Sequence, residues 1–146
     1  MSKRWQNVLF MGILAASIAL VLWLTILSRL GCYTRHFYLP FSSYKAVFRG
    51  SVRALLEIAG NIILFIPVGV MLPLFFRIDL KRSLVLGFTI SLIIESCQWF
   101  FWLGSFEFDD LLHNTIGAGI GAVIVQRTFL GKRLKEQIVD KKRKAF

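Results

Sequence analysis

Glu95, Gln98, Asp110 and Asn114 interrupt residues 91–121, SLIIESCQWFFWLGSFEFDDLLHNTIGAGIG, a run otherwise apolar enough to cross a bilayer. A carboxylate at the centre of hydrocarbon costs roughly 2.5–3.5 kcal/mol on insertion scales, so such an acid faces a bundle interior or a wet cavity and is a candidate for function. Arg53, Glu57 and Asn61 stand upstream of these four, and Asp109 and His113 lie among them. Glu57, Glu95 and Asp110 could offer oxygens to a hard divalent cation, although no cofactor is predicted. Glu95 could instead serve as a general acid or base. The same residues could also simply bond one helix to another, at about 0.6–2 kcal/mol per bond. No HExxH, Gly-x-Ser-x-Gly or phosphate-binding glycine loop accompanies them. A lone histidine such as His113 is more often a hydrogen-bonded partner than a catalyst, and Cys97 in an apolar run more often packs than reacts. Catalysis is therefore the less favoured reading.

The elements that must hold these groups are helices. With 56% hydrophobic residues and a mean hydropathy of +0.66, the 146-residue chain is too apolar for an ordinary soluble domain. It reads as one all-α, membrane-embedded bundle of four spans, at 8–27, 54–76, 83–103 and 111–130, followed by a basic tail at 131–146. Each span is long enough, at about 1.5 Å per residue, to cross a core of roughly 30 Å. Pro67 is expected to kink the second. The first lacks a clean cleavage site and reads as an uncleaved anchor. Arg29 stands where a lipoprotein signal would carry an aliphatic residue, so Cys32 is not read as lipidated, and no disulfide is expected.

Charge sets the orientation. The net charge of +10 is concentrated beside the spans, in the amino end, the 77–82 hinge and the tail, whereas 104–110 holds three acids and no base. That pattern puts both termini in the cytoplasm and argues against nucleic acid as a partner. The first loop runs against the rule. Between residues 28 and 53 it interleaves Tyr33, Phe37, Tyr38, Phe41, Tyr44 and Phe48 with Arg35, Lys45, Arg49 and Arg53. It is expected to lie along the membrane interface among lipids, and Arg49 with Arg53 could hold a phosphate.

This topology brings the polar residues together. Glu57 and Asn61 begin a descending helix, Glu95 and Gln98 end an ascending one, and Asp109, Asp110, His113 and Asn114 begin the next descent. All would lie about 0–12 Å below the outer face. Asp110, Asn114, Gly117 and Gly121 share one helical stripe, and Gly87, Ser91, Glu95 and Gln98 share another. Small residues such as Gly117 and Gly121 allow close helix packing. The expected site is an outward polar crevice lined by Arg53, Glu57, Asn61, Glu95, Gln98, Asp109, Asp110, His113 and Asn114, with Pro67, Gly117 and Gly121 packing beneath it.

The string NIILFIPVG at 61–69, then Glu95 and Gln98, then FDDLLHNTIGAGIG at 108–121, resembles the VanZ-like family of small bacterial membrane proteins. YLPF at 38–41 is similar to that family's first-loop signature, with Tyr38 in place of an asparagine, and Gly104 stands where many relatives carry arginine. The recurring polar positions of the family correspond to Asn61, Pro67, Glu95, Gln98, Asp110 and Asn114. The resemblance implies a protein of the cell membrane associated with resistance to teicoplanin, a lipid-tailed glycopeptide. A lipid-tailed antibiotic or a lipid-linked envelope precursor is then the expected ligand. A membrane-embedded enzyme acting on a lipid-linked phosphate or glycan is the alternative, and a transporter or accessory subunit, which could form a homo-oligomer, is a third.

Overall fold

The computed structural model describes residues 36–128, together with positions 5, 12, 15, 16, 19–21, 23, 25 and 30. The tail at 131–146 lies outside the described residues, as does most of the first span. The described positions within that span are helical, and Val21 and Thr25 are buried.

Helices dominate the fold: α1 is Ser42–Phe48, α2 Val52–Phe76, α3 Leu80–Phe100 and α4 Phe108–Arg127. Two-residue strands, β1 at Phe37–Tyr38 and β2 at Phe106–Glu107, pair in parallel. The stretch at 28–53, read as a loop, thus contains a helix and a strand, and the acidic turn at 104–110 contains the strand's partner.

The three long helices begin two or three residues earlier than the hydropathy boundaries. Capping explains two of these shifts. The Ser51 hydroxyl accepts the Ala54 N–H and starts α2. The Asp79 carboxyl accepts the Arg82 N–H at 2.9 Å and starts α3 among basic residues assigned to the hinge. Extended backbone at Glu107 sets the start of α4, and left-handed backbone at Trp102 (φ 60°) lies just beyond the end of α3. The α2 helix continues through Pro67 and Pro73.

Four membrane-crossing helices are expected; among the described residues two, α2 and α3, are long and apolar enough to cross a membrane. The α4 helix is less apolar because its first two turns hold Asp109, Asp110, His113 and Asn114. It nevertheless presents Leu112, Ile116, Ile120 and Ile124 at four-residue intervals, all exposed.

The α4 helix packs extensively on both α2 and α3, which touch each other little. Gly117 and Gly121 bring its backbone against α2, where a Cβ on either would overlap the carbonyl oxygen of Ile62 or Ile66. Gly69 returns the contact from α2, its own Cβ position falling on the Ala118 backbone. On the other side a Cβ at Gly87 would lie 2.6 Å from the Ala118 methyl. Phe65 and Ala118, both fully buried, close the centre with Ile94 and Val21.

Candidate functional site

The polar residues collect at the end of the bundle where α2 and α4 begin and α3 ends. Helical phase explains their burial on α3, because Gly87, Ser91, Glu95 and Gln98 follow one stripe and all four face inward. On α4, Asp109, His113 and Asn114 are buried, while Asp110 is only half-buried.

Asp109 is completely buried and holds the first loop. One carboxyl oxygen accepts the Phe41 N–H at 2.7 Å, and the other accepts the Ser43 N–H at 2.8 Å and, more weakly, the Ser42 hydroxyl at 3.4 Å. These bonds anchor the turn into α1, whose N-cap residue, Phe41, adopts left-handed backbone (φ 68°). Glu95 plays the matching part on α3: its carboxyl accepts the N–H of Glu107, the N-cap residue of α4. The two buried carboxyls therefore fix the segments that carry β1 and β2. The Phe106 N–H donates to the His36 carbonyl at 2.9 Å, and Phe37 stacks on Phe106 while Phe108 meets both rings edge-on.

His113, Asp110 and Tyr44 form a second group. The His113 Nε2 lies 2.9 Å from the Tyr44 hydroxyl on α1. Its Nδ1 lies 3.8 Å from an Asp110 oxygen, too far for a hydrogen bond, and is buried with no other partner among the described residues. Asn114 donates to the Ser91 hydroxyl at 2.9 Å, joining α4 to α3. Gln98 donates to the Thr25 carbonyl at 2.6 Å, joining α3 to the amino-terminal helix.

The remaining candidates lie apart from this cluster. Arg53 and Glu57 pair with one another at 2.9 Å on the outside of α2, their side chains 89% and 56% exposed. They do not line the crevice, because each finds its counter-charge one helical turn away. Asn61 and Pro67 are half-buried on α2. Glu57, Glu95 and Asp110 do not come together, and among the described residues no group of three or more His, Cys, Asp or Glu side chains is arranged to hold a metal ion.

A cavity of about 530 Å³ opens at the same end of the bundle. It is not walled by the polar cluster. Its lining is aromatic, with Trp99, Phe100 and Phe101 from the end of α3 and Phe37 and Phe106 from the strand pair, beside Ser96 and Cys97. Neither this recess nor the roles of Tyr44, Ser91 and Thr25 emerged from the sequence. The one signal present was the density of rings in WFFW at 99–102 and FEF at 106–108.

Replacing Tyr44 with Phe tests the α1–α4 contact. The change leaves His113 Nε2 without its partner, and an unmet buried polar atom costs about 1–3 kcal/mol. Thermal unfolding of the full chain in detergent should show a lower midpoint for Tyr44→Phe, with helix content unchanged at low temperature.

A family model described as VanZ/LLP1 matches residues 8–130. The chain is also similar to Protein VanZ of Enterococcus faecium, with 29% identity over 124 residues, covering 79% of this chain and 72% of that protein. No solved structure matches it.

Proposed function

The chain belongs to the VanZ/LLP1 family, and from that membership we propose that it is a multi-pass membrane protein that lowers susceptibility to lipid-tailed glycopeptides such as teicoplanin. The apolar composition and the two membrane-length helices support the membrane assignment. In this reading four helices cross the cell membrane, both termini are cytoplasmic, and the end of the bundle bearing Glu95, Asp109 and His113 faces outward.

The observation that carries the reading is the aromatic cavity at the same end of the bundle as the polar cluster. A ligand with a polar head and an alkyl tail needs two such environments at one end of the bundle. Rings and apolar walls suit the tail, and half-buried Asp110 is accessible to a polar head. Engagement of the antibiotic, or of a lipid-linked envelope molecule that it recognises, then reduces the drug's access to its target. No catalytic step is needed for this effect.

The test is the inhibitory concentration of teicoplanin, with tail-less vancomycin as control, in a susceptible Gram-positive host producing the protein. Wild type, Asp110→Asn and Ser96→Trp are compared at matched membrane levels. Ser96 is exposed and lines the cavity, so tryptophan there should fill the recess without entering the core. Wild type should raise the teicoplanin value several-fold and leave vancomycin unchanged, and both variants should lose the protection. Equal protection by all three would remove the cavity and Asp110 from the function. Absence of protection by wild type would remove the resistance reading itself.

A further inference from the structure

The outward side of α1 is an independent feature. At 3.6 residues per turn, Phe48, Lys45 and the C-cap residue Arg49 fall within an arc of about 100°, and Phe41 is the N-cap residue before the first turn. All four are exposed, Phe48 to 91% and Phe41 to 60%, whereas Ser42, Ser43, Tyr44, Ala46 and Val47 are half-buried. Two rings and two cations are thus exposed along a seven-residue helix and its two caps.

That side is presented in a fixed orientation. Asp109 holds the backbone at Phe41 and Ser43, and the Tyr44 hydroxyl meets His113. At its other end α1 passes through Gly50 (φ 86°) and Ser51 directly into α2, so it sits where a membrane-length helix begins. Leu39 and Tyr38, just before it in the chain, are exposed as well.

The charges decide the occupant. Arg53, a further cation just beyond α1, is taken by Glu57. Lys45 and Arg49 have no acidic partner among the described residues, and the exposed rings of Phe41 and Phe48 on the same short segment suit the acyl boundary. We propose that this side of α1 is a docking surface for anionic phospholipid, with Phe41 and Phe48 inserted among the acyl chains and Lys45 and Arg49 bound to headgroup phosphate. Guanidinium and ammonium groups snorkel to that depth while their stems stay in the apolar layer. The surface goes beyond the antibiotic-related reading and does not depend on it.

Hydrogen exchange of the full chain in lipid nanodiscs tests the surface where it lies. Amides of 43–49 are followed in phosphatidylcholine alone, in the same lipid with roughly one-third phosphatidylglycerol, and in phosphatidylcholine with inorganic phosphate in the buffer. Contributions of the basic tail appear in separate peptides. Anionic lipid should slow exchange of this segment several-fold, free phosphate should leave it unchanged, and the slowing should vanish in Lys45→Gln/Arg49→Gln. Exchange across 108–115 serves as the fold control, since both substituted residues are exposed. No response to phosphatidylglycerol, an equal response to free phosphate, or a response that survives in the double variant would each overturn the proposal.

Discussion

Gly121→Ala should destabilise the bundle far more than Gly60→Ala, and Gly119→Ala should fall between them. The order follows from what each new methyl group meets. At Gly60 it meets nothing within 4 Å, and alanine is the better helix former by about 1 kcal/mol in water, so that variant should be neutral or slightly stabilised. At Gly119 it approaches the Leu84 Cδ2 at 2.9 Å, the end of a flexible side chain that can turn away. At Gly121 it overlaps the Ile66 carbonyl oxygen and comes within 2.6 Å of the Val70 nitrogen and 2.8 Å of the Gly69 carbonyl carbon. All three are backbone atoms of α2, which can yield only if the helices separate.

Overpacking of an ordinary core costs about 1–3 kcal/mol, occasionally more. A collision with helix backbone belongs at or above the top of that range, because no rotamer relieves it. Gly117 meets the Ile62 carbonyl in the same way one turn earlier, and the double variant Gly117→Ala/Gly121→Ala should fail to accumulate in the membrane. Thermal unfolding midpoints of purified single variants, with membrane yield of the double variant, provide the measurement. Equal midpoints for Gly60→Ala and Gly121→Ala would show that the α2–α4 contact is looser than described.

Helical periodicity made the packing of these glycines legible in advance. Gly87, Ser91, Glu95 and Gln98 share a stripe in the sequence, and all are buried. Asn114, Gly117 and Gly121 follow suit on α4. Hydropathy was a poorer guide to helix ends, since Ser51 and Asp79 set two of them through single hydrogen bonds that average apolarity does not register. The neighbouring acids Asp109 and Asp110 could not be ranked. They lie about 100° apart on the helix, and the stripe drawn through Asn114 and Gly117 favoured Asp110. The partners that bury Asp109 are amides 66 and 68 residues away in sequence, and a pairing so distant leaves no local pattern. Glu57 was drawn into the crevice by depth and Arg53 as a partner for an acid or a phosphate, and their four-residue spacing permits the local ion pair that forms instead.

Asp109→Asn should release the first loop from the bundle, whereas Asp110→Asn should leave it attached. In Asp109 both oxygens accept backbone N–H groups, at 2.7 and 2.8 Å, within a fully buried side chain. An amide keeps one acceptor and turns an NH2 group toward the other N–H, setting donor against donor. The substitution therefore loses a bond to a carboxylate, worth about 1.5–3 kcal/mol, and leaves a backbone N–H without its acceptor. Left-handed backbone at Phe41 then loses the contact that holds it, and the Tyr44–His113 contact is left as the polar tie between α1 and α4. Asp110 has no comparable duty, its described contact being the 3.8 Å approach to His113. Limited proteolysis between residues 36 and 50, with hydrogen exchange over the same segment, distinguishes the two variants. Cleavage and exchange should rise several-fold in Asp109→Asn while 52–76 and 80–100 stay protected. Equal protection of 36–50 in wild type and Asp109→Asn would mean that the strand pair and the aromatic stack around Phe106 suffice to hold the loop, and that the buried carboxyl is retained for some other purpose.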